Sequence, residues 1–106
     1  MIRFVRTLSN TDEVRAIGRQ LLRSGPGVAS NYRSACRARS RAEFVSRIGV
    51  ALEEADESRL WFEILTESAI SRTREAFRLL QESDELSAIF AASSITAKTG
   101  SPRERT

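Results

Sequence analysis

Between Val28 and Thr99 the chain contains no proline and a single glycine, Gly49, while apolar residues return every three or four positions. Few architectures survive that combination. All-β proteins need regularly spaced turn residues and apolar alternation with a period of two. The five glycines (18, 25, 27, 49 and 100) and the two prolines (Pro26 and Pro102) form no such punctuation. Long amphipathic helices are the remaining solution.

The helices can be placed from their caps and stripes. Asn10 followed by Glu13 predicts a helix start, the short side chain accepting from exposed amides and the acid lying in the first turn. Val14, Ile17, Leu21, Gly25, Val28, Tyr32 and Ala35 then share one face, so the first long helix is expected over residues 11–37. Pro26 lies inside it and predicts a kink or local break. Ser40 and Glu43 form a capping box for a helix over about 41–67, with Phe44, Ile48, Leu52, Ala55, Phe62 and Leu65 as its stripe. After a weak break at Ala69–Ser71, residues Ala76, Leu79, Leu80, Leu86, Ile89 and Phe90 carry a third helix to about Ala97. Each would be about 40 Å long, so the three match and can lie antiparallel. Met1–Leu8 supplies about two turns more.

The expected fold is all-α: an antiparallel up-down four-helix bundle with a short or truncated first helix. At 106 residues there is room for one core, giving a single helical-bundle domain over 1–97 and a flexible C-terminal tail over 98–106. The chemistry is bounded just as tightly. With no histidine and only Cys36, a disulfide framework and any triad or metal site that needs imidazole are excluded. No apolar run reaches the roughly 18 residues of a membrane span, and the first residues lack a secretory pattern. A cytoplasmic protein without cofactor and without membrane association is expected.

The formal charge of +3 conceals a gradient. Residues 1–50 hold ten arginines against three acids, whereas residues 51–106 hold seven basic residues against eleven acids. On a helical wheel Arg15, Arg19, Arg23, Arg33 and Arg37 fall within about 80° of one another, roughly opposite the apolar stripe. Arg39 and Arg41 prolong this ridge into the following turn and helix. Like charges one turn apart repel, so either an anionic ligand or acids such as Glu53, Glu54 and Glu57, from this or a neighbouring subunit, must face them. Phosphate binding and internal pairing both fit the sequence.

The segment Asn31-Tyr32-Arg33-Ser34-Ala35-Cys36-Arg37-Ala38-Arg39-Ser40-Arg41-Ala42-Glu43-Phe44, with Ala51-Leu52-Glu53-Glu54-Ala55-Asp56-Glu57 and Trp61-Phe62 behind it, resembles the four-helix-bundle family encoded by intervening sequences in 23S ribosomal RNA genes. Relatives of that family include accessory variability proteins of diversity-generating retroelements. The resemblance runs from about Gln20 to Ala97. It implies a four-helix bundle, a homopentameric ring as in several members, and no established enzymatic activity. Through the retroelement relatives it also implies association with nucleic acid and with a reverse transcriptase. Relatives have a full-length first helix, whereas Met1–Leu8 resembles only the end of one. Whether the helix is shortened or starts upstream, an apolar groove between the long helices would be partly uncovered, which favours a partner or an oligomer.

The remaining constellations have plainer readings. Glu53, Glu54, Asp56 and Glu57 are paired carboxylates, but di-metal bundles add Glu-x-x-His motifs that are missing here, so an ion-paired or solvated face is expected. Asn31, near the edge of the stripe, is expected to bond a carboxylate such as Glu54 or a backbone group. Cys36 is expected to be a small buried or boundary residue. Tyr32 and Trp61 are expected to pack within the bundle or at a subunit contact, although either could stack on bases. Leu60, Trp61 and Ile64 form the candidate oligomer contact. The function expected from these readings is a non-enzymatic, ring-forming protein that binds RNA or DNA backbone through Arg15, Arg19, Arg23, Arg33, Arg37, Arg39 and Arg41, as an accessory factor to a reverse transcriptase. A protein-interaction scaffold without a nucleic-acid role is the alternative.

Overall fold

A computed structural model describes residues 1–99. It contains four helices: α1 (Ile2–Arg6), α2 (Asp12–Cys36), α3 (Arg41–Glu67) and α4 (Arg74–Thr99). The all-α bundle with a short first helix is therefore the observed fold. α4 runs two residues beyond the expected end at Ala97, taking in Lys98 and Thr99 of the anticipated tail; residues 100–106 of that tail lie outside the described residues.

Local chemistry sets the helix ends. α2 starts one residue later than Asn10 implied, because Thr11 is the extended residue (φ −96°, ψ 161°) and its hydroxyl accepts from the Val14 amide at 3.4 Å. Ser40 caps α3: its hydroxyl accepts from Glu43 N at 3.0 Å, while the Glu43 carboxylate reaches one residue further back than the expected box and accepts from Arg39 N at 3.4 Å. α3 stops at Ser68, and Ala69 follows with φ 58°, the left-handed turn that lets Ser71 N donate to Leu65 O at 3.0 Å. Arg72 pins this turn by donating to Thr66 O at 3.0 Å while its guanidinium lies 5.4 Å from the Phe77 ring centroid.

Pro26 does not break α2, which is helical throughout 12–36. Pro26 and Leu22, whose carbonyl Pro26 cannot bond, are both exposed, so the lost hydrogen bond falls on the water side of the helix. The neighbouring glycines serve close approaches. A Cβ on Gly25 would lie 3.0 Å from Met1 Cε, and one on Gly18 would lie 3.1 Å from Val5 Cγ1. Those two positions seat α1 along α2.

α3 is the central helix, packed against α2 on one side and α4 on the other, while α1 packs on α2. The molecule measures 56 × 20 × 17 Å. Beneath α1 lies one core cluster built from Phe4, Ile17, Leu21, Phe62, Leu65, Ala76 and Leu79, in which the Phe4 and Phe62 rings are 5.6 Å apart. The second, towards the α2–α3 turn, contains Ala35, Ile48, Ala51, Ala55 and Phe90. Buried serines lie among them; Ser24 and Ser58 bond each other across α2 and α3 at 2.8 Å.

Two stripe residues are not core. Tyr32 is 48% exposed, because α1 covers the groove between α2 and α4 only as far as Gly25, and Ile89, which does not line that groove, is 56% exposed. Tyr32 instead stacks on Phe90 with ring centroids 5.6 Å apart, at the mouth of a groove of about 350 Å³. The thiol of Cys36 beside it pushes the Tyr32 phenol above its usual value. Cys36 is exposed, not buried. Asn31 takes the backbone option, donating to Gly27 O at 2.9 Å.

Candidate nucleic-acid interface

The apolar stripe of α2 faces α3 and α4, so residues about 180° away must face water. Arg15, Arg19, Arg23, Arg33 and Arg37 are all exposed, as the wheel requires. Their surroundings divide them. Arg15 pairs with Asp12 one turn earlier on the same helix. Arg23 reaches across to α3, where it pairs with Glu57 and lies 3.4 Å from a Glu54 oxygen; its pKa is raised, chiefly by the bond to Glu57. Gly27 makes room for this contact, since a Cβ there would lie 3.3 Å from the Glu54 carboxylate. The acids expected to face the ridge from α3 thus neutralise one of its arginines.

The guanidinium groups of Arg19, Arg33, Arg37 and Arg39 have no carboxylate partner among the described residues. From Arg19 to Arg37 the ridge runs about 27 Å along the axis. Arg33 and Arg37 lie together on the surface beside Pro26 and Ser30. Arg41 opens α3 and lines the groove towards α4 with Phe44 and Thr96, away from Arg33 and Arg37. Arg6 was absent from the sequence reading. It stands on α1 next to Val5, whose packing on Gly18 brings it to the same groove as Arg15 and Arg19.

The acidic side is equally ordered. On the α3–α4 face Arg59 bridges both helices, bonding Asp84 at 3.0 Å and lying 3.6 Å from Glu63 and 3.9 Å from Asp56; its pKa is raised, mainly by Asp84. Arg78 pairs with Glu75 and Glu82 on α4. The carboxylates Glu54, Asp56 and Glu57 are thus engaged with arginines, and no cluster of three metal-ligating side chains occurs among the described residues. No described helix is long and apolar enough to cross a membrane.

Of the anticipated oligomer strip, Leu60 is 47% exposed, whereas Trp61 and Ile64 are half-buried against the α1-side core. Trp61 Nε1 is buried with no hydrogen-bond partner among the described residues.

The model of the 23S rRNA-intervening sequence protein family matches residues 1–92, nearly the whole described bundle. The chain belongs to that family. A member of the S23 ribosomal protein family from Bacteroides thetaiotaomicron, a protein with unknown function whose crystal structure was determined at 1.70 Å, is similar to it. The two are 30% identical with a TM-score of 0.75, over 88% of this chain and 86% of that one. No curated protein matches the chain. Neither the family nor the structural neighbour indicates an enzyme class. On its surface Arg19 and Arg33 of α2 stand without a carboxylate partner among the described residues, whereas Arg59 of α3 and Arg78 of α4 are each bridged to acids.

Proposed function

We propose that this protein is a non-enzymatic helical-bundle protein that assembles as a ring and binds the backbone of RNA or DNA through the outward face of α2. The reading rests on one observation: Arg19, Arg33 and Arg37 share an exposed helix face and have no carboxylate partner among the described residues. Guanidinium groups recognise phosphate oxygens in bidentate fashion, and such contacts fix position without reading sequence. The ring and a reverse-transcriptase partner come from the family resemblance. Each subunit of a ring would repeat the arginine face, adding avidity without new contacts.

The test is anisotropy of unrelated labelled RNA and DNA strands over a salt series. Four or five neutralised phosphates predict a loss of affinity on the order of 10²–10³ between about 50 and 200 mM salt, similar for all sequences. Absence of binding at the lowest salt contradicts the proposal. The scaffold alternative draws on the Arg15–Asp12 and Arg23–Glu57 pairs, which spend basic charge internally. It predicts capture of an acidic protein and no retained nucleic acid.

A further inference from the structure

Three arginines from two helices meet in the groove between α1 and α2: Arg6, Arg15 and Arg19. The packing forces this meeting. Val5 presses on Gly18, where a Cβ would lie only 3.1 Å from Val5 Cγ1, and Arg6 and Arg19 are the residues that follow each of them. Asp12 engages Arg15, but Arg6 and Arg19 have no carboxylate partner among the described residues. Ser9 and Asn10, in the connecting turn, add a hydroxyl and an amide to the same wall. The groove is open to solvent along one side and has a volume of about 420 Å³, room for a phosphate and the sugar that carries it.

We propose that this groove is a phosphate-gripping site in which Arg6 and Arg19 clasp one phosphate group of a nucleic-acid strand, Ser9 and Asn10 lining its remaining wall. It deepens, and rests on, the nucleic-acid reading above, but it assigns the tightest contact to the α1–α2 junction instead of the middle of the ridge. Two like charges lining one groove disfavour each other in the free protein. A phosphate between them removes that repulsion and accepts charge-assisted bonds from both sides. The phosphate can be an internal diester or a strand's 5′-terminal group.

The probe is inorganic phosphate, followed by NMR through the amides of Ser9, Asn10 and Gly18, and then a short single strand with or without a 5′-phosphate. Saturable shifts with inorganic phosphate are expected, and Arg6→Gln should abolish them. Arg6→Gln should weaken strand binding by about tenfold or more, whereas Arg3→Gln, on the same helix but outside the groove, should leave it unchanged. Tighter binding of the 5′-phosphorylated strand marks a terminal-phosphate site, and equal binding marks a diester site. Circular dichroism of both variants shows whether the bundle is intact. If strands bind but Arg6→Gln behaves like Arg3→Gln, the groove is not the site and the ridge reading survives. If no strand binds and phosphate produces no saturable shift, both fail.

Discussion

Ala69 carries the one positive φ among the described non-glycine residues, and it does so to end α3. A Cβ in the left-handed region is sterically costly, and glycine removes that cost. Ala69→Gly is therefore expected to raise stability by about 0.5–1 kcal/mol in urea unfolding, net of the added freedom of the unfolded chain. The Ser24–Ser58 pair makes the opposite point. Removing one hydroxyl leaves the other buried without its bond, so Ser24→Ala should cost about 1–2 kcal/mol. The Ser24→Ala/Ser58→Ala double variant should cost less than the sum of the two single changes, measured as a double-mutant cycle. Residue-scale features were legible where they are local. The Ser40–Glu43 cap needs only four residues of sequence, and its Ser40 half forms as expected, while the Glu43 carboxylate accepts from Arg39 N instead of Ser40 N. Thr11 and Asn10 are both competent caps, and only the backbone angles choose between them.

At the scale of helices, the three long elements follow from spacing, but their lateral neighbours do not. Tyr32 and Ile89 continue the stripes and are nevertheless about half exposed, since a stripe reports which face could be buried and not whether anything covers it. The register of α1 on α2 is a tertiary fact, set by Met1 on Gly25 and Val5 on Gly18. For that reason the periodicity of α2 carries no sign of Arg6, which lies on α1. A glycine at position 18, inside a helix with no turn to make, was the available signal that another element approaches there. Docking of α1 depends most on Phe4, which is 1% exposed and packed on Phe62. Phe4→Ala should cost about 3–5 kcal/mol. Hydrogen exchange should then speed up in α1 and in the adjoining turns of α2 before the α3 core is affected.

For the whole molecule, three long helices side by side give a radius of gyration of 15.9 Å, against about 13 Å for a compact domain of this length. An elongated bundle with an open groove and an exposed Leu60 has apolar surface left for contacts between copies. Light scattering should give a mass well above 11.9 kDa, with five subunits the expected number, and charging the exposed strip by Leu60→Glu should shift it towards monomer. A monodisperse monomer at tens of micromolar, roughly the range in which weak contacts persist, contradicts the ring. Charge was legible at this scale only as a gradient. The fold converts it into a basic α2 edge and an internally paired α3–α4 face, and the pairing of Arg23 with Glu57 could be decided only once α3 was placed beside α2. The central claim is that the outward face of α2 holds a phosphate backbone. Its most direct test is the salt dependence of strand affinity for the parent and for the Arg19→Glu/Arg33→Glu variant. The predicted result is weaker binding with a log–log salt slope flatter by about two, at unchanged helical content. Equal affinity and equal slope in the two proteins would contradict it.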